Sequence, residues 1–248
     1  MKSIAYILLF FGCIGVFAQK PIPVNLPVYD QQPLHFGMAL GYNRMDFTIH
    51  NSGIFYGMDS VYSVENVPKS GFNINIVSNF NIHKYFSFRA LPGLNFGQRN
   101  LEYISHSRKD SVFFKKVMVI ESTFLDLPLL LEYKSKRINN FRPYLVAGGA
   151  FKWDLAAQKT IREEERPKIR LKPADVYYCI GLGTDFFMQY FKFALEIKFE
   201  VGVRNILAPD GSQYSLAIER MNSKIINITC LFEGSDINSF TRLFKKNK

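Results

Sequence analysis

The segment Phe191–Val203, FKFALEIKFEVGV, puts Phe191, Phe193, Leu195, Ile197, Phe199, Val201 and Val203 on one side of an extended chain. Lys192, Glu196, Lys198 and Glu200 fall on the other side, and Arg204 continues the charged phase. Soluble sandwich strands can alternate in the same way, but they are about five or six residues long. This run is long enough to cross a bilayer. A tilted transmembrane strand needs roughly nine to eleven residues, apolar toward lipid and polar toward a lumen.

The rest of the chain fits the same solvent. Its 248 residues have room for one large all-β domain, and 24 Phe with 13 Tyr give the aromatic load that barrels carry as interfacial girdles. A mean hydropathy of −0.03 excludes a bundle of transmembrane helices. The first 18 residues, Met1–Ala18, carry Lys2, an apolar run from Ile4, and Val16 and Ala18 at the −3 and −1 positions of a cleavage site. That is the pattern of a cleaved secretory signal, too short for a spanning anchor. Cys13 lies within the apolar run, in a context that fits a lipoprotein box poorly.

Residues 19–33 hold Pro21, Pro23, Pro27 and Pro33 and are expected to form an extended, proline-rich periplasmic lead-in. The barrel is expected over residues 34–233, and residues 234–248 form a basic C-terminal tail. The formal charge of +10 is spread over loops, turns and that tail. It forms no concentrated patch of the kind a nucleic-acid partner requires.

Alternation marks eight strands. They begin at Leu34, Phe72, Phe86, Phe124, Arg142, Asp175, Phe191 and Ser223, and the connections alternate long, short, long, short, long, short, long. The fold class expected is an all-β, eight-stranded antiparallel up-and-down transmembrane β-barrel. Its long loops lie at the outer surface, and its short turns and both termini are periplasmic. Pro92 is expected to mark a bulge or an irregular pair. Cys179 and Cys230, on strands two apart and of opposite phase, are not expected to bridge.

An eight-stranded lumen is just wide enough for side chains to fill, so its charges must pair. The expected lumen network is Arg89, Asp126, Glu132, Asp185, Lys192, Glu196, Lys198, Glu200 and Arg204, with Lys134 beside it. Catalysis is not expected. His35, His50, His83 and His106 have no Ser or Asp at a motif spacing, and neither a phosphate loop nor a metal-spaced Cys/His set is present. No cofactor or small-molecule substrate is called for.

Three segments carry a family resemblance: YDQQPLHFG (Tyr29–Gly37) with LGYN (Leu40–Asn43), LPGLNFG (Leu91–Gly97), and LDLPLLLEYK (Leu125–Lys134). Together they resemble the PorT family of outer-membrane barrels in the Bacteroidetes type IX secretion system. The resemblance covers nearly all of the mature chain and brings no catalytic residues with it. It implies a non-enzymatic component needed for export of cargo proteins, with outer-membrane lipid and other secretion components as partners. An accessory or assembly role is implied, because folded cargo cannot pass an eight-stranded lumen. The alternative is a small adhesion or ligand-binding barrel that acts through its extracellular loops.

Overall fold

The computed structural model describes residues 23–53, 61–107, 112–157, 169–208 and 213–234. The signal segment, the first residues of the lead-in and the basic tail lie outside these. The strands are β1 (Leu34–Asn51), β2 (Val61–His83), β3 (Phe86–Ala90), β4 (Gly93–Ser107), β5 (Val112–Lys134), β6 (Phe141–Asp154), β7 (Arg170–Leu171), β8 (Ala174–Phe187), β9 (Phe191–Gly202), β10 (Leu207–Ala208) and β11 (Ile218–Gly234). One four-residue helix, α1 (Gln213–Leu216), precedes β11. No helix among the described residues is long and apolar enough to cross a membrane, which says nothing of a β-barrel.

Nine strands form one sheet, in which β3 and β4 both pair with β2 and with β5 and are two halves of a single stave. Eight staves therefore run β1–β11–β9–β8–β6–β5–β3/β4–β2, and the β1–β2 pairing from Leu34↔Phe80 to Met45↔Lys69 closes the ring. Every neighbouring pair is antiparallel, and closure leaves the membrane-spanning part without an unpaired edge.

Burial is inverted relative to a water-soluble protein. Ile76 and Ile180 are each 62% exposed, whereas Arg89 is 0% and Glu196 1% exposed. Rows such as Phe36, Met38, Leu40 and Tyr42 on β1, or Leu125, Leu127, Leu129 and Leu131 on β5, face outward around the ring. An apolar surface on this scale is stable only against hydrocarbon. Twelve residue steps from Phe191 to Val203, at about 3.3 Å each and tilted by about 40°, give a belt about 30 Å tall, enough for the lipid band.

Two differences from expectation and one agreement stand out. First, β2, β4 and β5 run past the belt: in the segments expected as long polar connections, His50–Ser70 and Ile104–Lys116, the described residues are largely strand, with Val64↔Tyr103 and Leu101↔Met118 in register. Polar side chains do not prevent pairing outside the membrane, where only the backbone ladder and one apolar face are needed. Second, the irregularity expected at Pro92 is present: the β3/β4 stave is interrupted at Leu91 and Pro92, where the Leu91 N–H reaches across to the Pro128 carbonyl. The two prolines share this irregularity, so neither breaks a regular ladder.

Third, the lead-in is not simply extended. Residues 23–33 turn back on themselves, with Leu26 at φ 46° and a 3₁₀ turn at Tyr29–Gln31, and dock across the turn end of the barrel. Tyr29, 2% exposed, supplies the buried anchor that a proline-based reading overlooked.

Candidate functional site

The lumen is filled in layers. Strand phase puts inward side chains from alternate positions of every stave at matching heights, so charges far apart in sequence meet across the axis.

At the turn end the strap formed by residues 23–33 closes the mouth. The Asn25 N–H donates to Asn140 Oδ1 at 2.9 Å, and Asn25 Nδ2 to the Phe187 carbonyl at 2.9 Å. Arg137 donates to the Asn25 and Leu26 carbonyls while its guanidinium lies 3.6 Å above the Phe187 ring centre. The Tyr29 ring stacks on His35 at 3.8 Å, and its hydroxyl donates to Glu233 Oε2 at 2.8 Å. Arg142 bridges Asp30 at 2.7 Å and Asp185 at 3.0 Å.

Burial and the neighbouring Glu233 carboxylate push the Tyr29 hydroxyl well above its ordinary value, so it remains a donor. Burial pushes the Asp30 carboxyl up, but the Arg142 guanidinium and its hydrogen bond outweigh this and leave it below the usual carboxylate range.

One layer up, Arg89 donates to Glu132 and Glu196 at 2.7 Å each and lies 4.0 Å from Glu233. Ser87 donates to Glu132 at 2.9 Å, and the Tyr144 hydroxyl to Glu196 at 3.0 Å. The Tyr144 ring crosses the space above Gly183, its register partner: a Cβ at Gly183 would sit 2.4 Å from Tyr144 Cζ, so a side chain there would displace the ring. Lys192 links the first two layers through Glu233 at 2.9 Å and Asp185 at 3.4 Å.

At mid-height Lys152 joins Asp126 at 2.6 Å and Glu200 at 2.8 Å, and Lys198 adds Glu200 at 3.0 Å. Above them Arg99 donates to Ser122 and Ser223, approaches Asp154 at 3.5 Å, and stacks over Phe47 and Phe124 at 4.3 and 5.1 Å. The top of the lumen is apolar, built from Phe47, Leu101, Tyr103, Met118, Ile206, Ile218 and Met221.

Among the described residues seven buried Lys or Arg face eight buried Asp or Glu, so the interior is nearly neutral. Arg89, Asp126, Glu132, Asp185, Lys192, Glu196, Lys198 and Glu200 all lie inside it, as does Lys134, which donates to Asn81 Oδ1 at 2.6 Å. Arg204 does not. It follows the end of β9 and is exposed, because the loop leaves the strand phase at Val203. Six buried charges were overlooked: Arg99, Arg142, Lys152, Asp154, Asp175 and Glu233. The signal for Arg142, Lys152 and Asp154 was present, since they share the even phase of β6 with Tyr144 and Val146.

Cys179 and Cys230 are both free. Among the described residues no group of three or more His, Cys, Asp or Glu side chains is arranged to hold a metal ion. The arrangement neutralises charge and closes a cylinder; the Ser87 hydroxyl that meets Glu132 is buried and shares that carboxylate with Arg89.

Among solved structures, OprG of Pseudomonas aeruginosa is 12% identical, with 81% of this chain and 91% of that chain covered and a TM-score of 0.42. Ail of Yersinia pestis, in complex with a heparin analogue, is 10% identical over 82% of this chain and 99% of that one, with a TM-score of 0.39. The outer membrane protease OmpT of Escherichia coli is 10% identical over 83% and 97%, with a TM-score of 0.36. No curated protein sequence matches the chain. A family model described as outer membrane protein beta-barrel domain matches residues 17–208, more than three quarters of the sequence, and the chain belongs to that outer-membrane barrel family.

Proposed function

We propose that this barrel is a non-enzymatic component of a type IX protein secretion system, acting in assembly or as an accessory to a larger translocon rather than as the conduit. The reading joins the PorT resemblance of Tyr29–Gly37, Leu91–Gly97 and Leu125–Lys134 to one structural observation. The lumen is occupied from the strap to the apolar top by side chains already paired with one another. Such a cylinder offers cargo no path, so its contribution to export lies on its surfaces. The strap and the turn at residues 135–140 form the periplasmic face, with Pro23 and Gly234 on that side.

A clean chromosomal deletion tests the proposal. Surface delivery of exported proteins is expected to stop and to return with a plasmid copy, and a tagged chain is expected to co-purify with other secretion components. Undiminished export in the deletion strain overturns it. A second reading, a barrel that binds external ligands, is favoured by the extension of β2, β4 and β5 past the belt. It expects export to continue while binding is lost when the loop at residues 160–172 is replaced.

A further inference from the structure

Where each stave leaves the lipid belt at the long-loop end, the residue type depends on the side of the barrel. On β1 the outward row Phe36, Met38, Leu40, Tyr42 ends at Arg44, and on β11 the row Phe232, Cys230, Ile228, Ile226 ends at Lys224. On β9 the row ends at Val203 and Arg204, on β8 at Ala174 and Lys172, and on β2 Phe72 is followed toward the loop by Ser70 and the exposed Lys69. These five staves are consecutive in the ring, in the order β2–β1–β11–β9–β8. The other three end differently, at Gln98 on β4, Glu121 on β5 and Leu155 after β6.

The five cations are exposed, with Asp175 within electrostatic reach of Arg204. Among the described residues the side chains of Arg44, Lys69, Arg204 and Lys224 make no hydrogen bond or ion pair, and Lys172 donates only to the Asn205 carbonyl, at 3.2 Å. The acid nearest in register, Asp46 opposite Lys224, is engaged by Asn66 and by the Phe47 N–H. Glu219 is the other exposed acid on this side of β11. Cations that merely anchor a barrel at the interface would be distributed around the ring, whereas among the described residues at this boundary they occupy one arc. We propose that this arc, Arg44, Lys69, Lys172, Arg204 and Lys224, is a binding site for the phosphate groups of anionic lipid headgroups in the leaflet at the long-loop end.

The physical case is direct. A guanidinium or ammonium at the hydrocarbon boundary meets headgroup phosphate without crossing water, and each such cation contributes additively. The site requires the membrane placement of the family and is independent of any role in secretion.

The test uses the full mature chain in nanodiscs of phosphatidylcholine doped with bis-phosphorylated lipid A, and native mass spectrometry counts the glycolipid retained on release. Arg44→Gln with Lys224→Gln is expected to lower retention by about fivefold per cation removed. Lys115→Gln with Lys116→Gln, on β5 outside the arc, is expected to leave it unchanged, as is added inorganic phosphate at millimolar concentration. Heat-modified gel mobility establishes that each variant is folded. Equal retention by the arc variant overturns the proposal, as does an equal loss in the β5 variant or equal retention of a phosphate-free lipid A. Capture of soluble heparin without lipid enrichment assigns the arc to a free polyanion and likewise overturns it.

Discussion

Arg89 shows what a single side chain does in this interior. It is fully buried, yet its two terminal nitrogens each meet a carboxylate at 2.7 Å, so three charges share one desolvated site. Such a group stabilises the fold only while every member is present. Arg89→Met is expected to cost about 3–5 kcal/mol, because Glu132 and Glu196 are left buried without their cation. The triple variant Arg89→Met, Glu132→Gln, Glu196→Gln is expected to recover most of that loss, as read from urea unfolding midpoints in detergent. Gly183→Val acts from the other side, by pushing Tyr144 away from Glu196. It is expected to destabilise by about 1–3 kcal/mol through overpacking, measured in the same unfolding series.

At the scale of elements the strap is the piece whose behaviour can be separated from the rest. It is held by side-chain contacts rather than by a strand ladder, and it keeps Leu26 in the left-handed region that a bulky residue adopts only under constraint. Arg137→Ala removes the donor to two strap carbonyls and the cation above Phe187. The strap is then expected to open by about 1 kcal/mol, given that Arg137 is only partly buried, with faster amide exchange at Tyr29, Gln31 and Gln32 and no change in the β-ladders. Asp30 makes the latch sensitive to acid. Its folded-state carboxyl lies below the unfolded value, so its contribution is present above about pH 4 and is lost as pH falls through the lower folded value. Pepsin cleavage within residues 23–33 is expected to rise between pH 5 and pH 3 in the wild type and to vary much less in Asp30→Asn.

For the whole molecule the consequence of a filled lumen is electrical. Opposite charges close on one another at three heights, the strap covers one end and an apolar cluster the other. The purified barrel is expected to show no step conductance in planar bilayers at neutral pH. A stable conductance from the intact chain would contradict the closed cylinder. Removing residues 23–33 takes away only the strap, and the Arg89 and Lys152 layers are expected to keep the truncated barrel silent as well.

Much of this was legible along the chain. Period-two alternation is a local property, so Phe191–Val203 reveals both its lipid face and its lumen face without any partner, and eight such runs separated by turns imply a ring. Family membership and the inverted burial agree with that reading. Which charges meet was not legible, because Arg89 and Glu196 are 107 positions apart and touch only once the ring closes. Nor was the reach of β2, β4 and β5 beyond the membrane, where water satisfies polar side chains and the hydrophobic period fades. The docking of the strap and the exclusion of Arg204 from the lumen depend on where the chain leaves its strand phase. Sequence set the two faces of each ribbon, because burial in lipid or lumen acts on each residue where it stands. Only closure of the cylinder decided the pairs, because electrostatic partners are chosen by distance across the axis rather than along the chain.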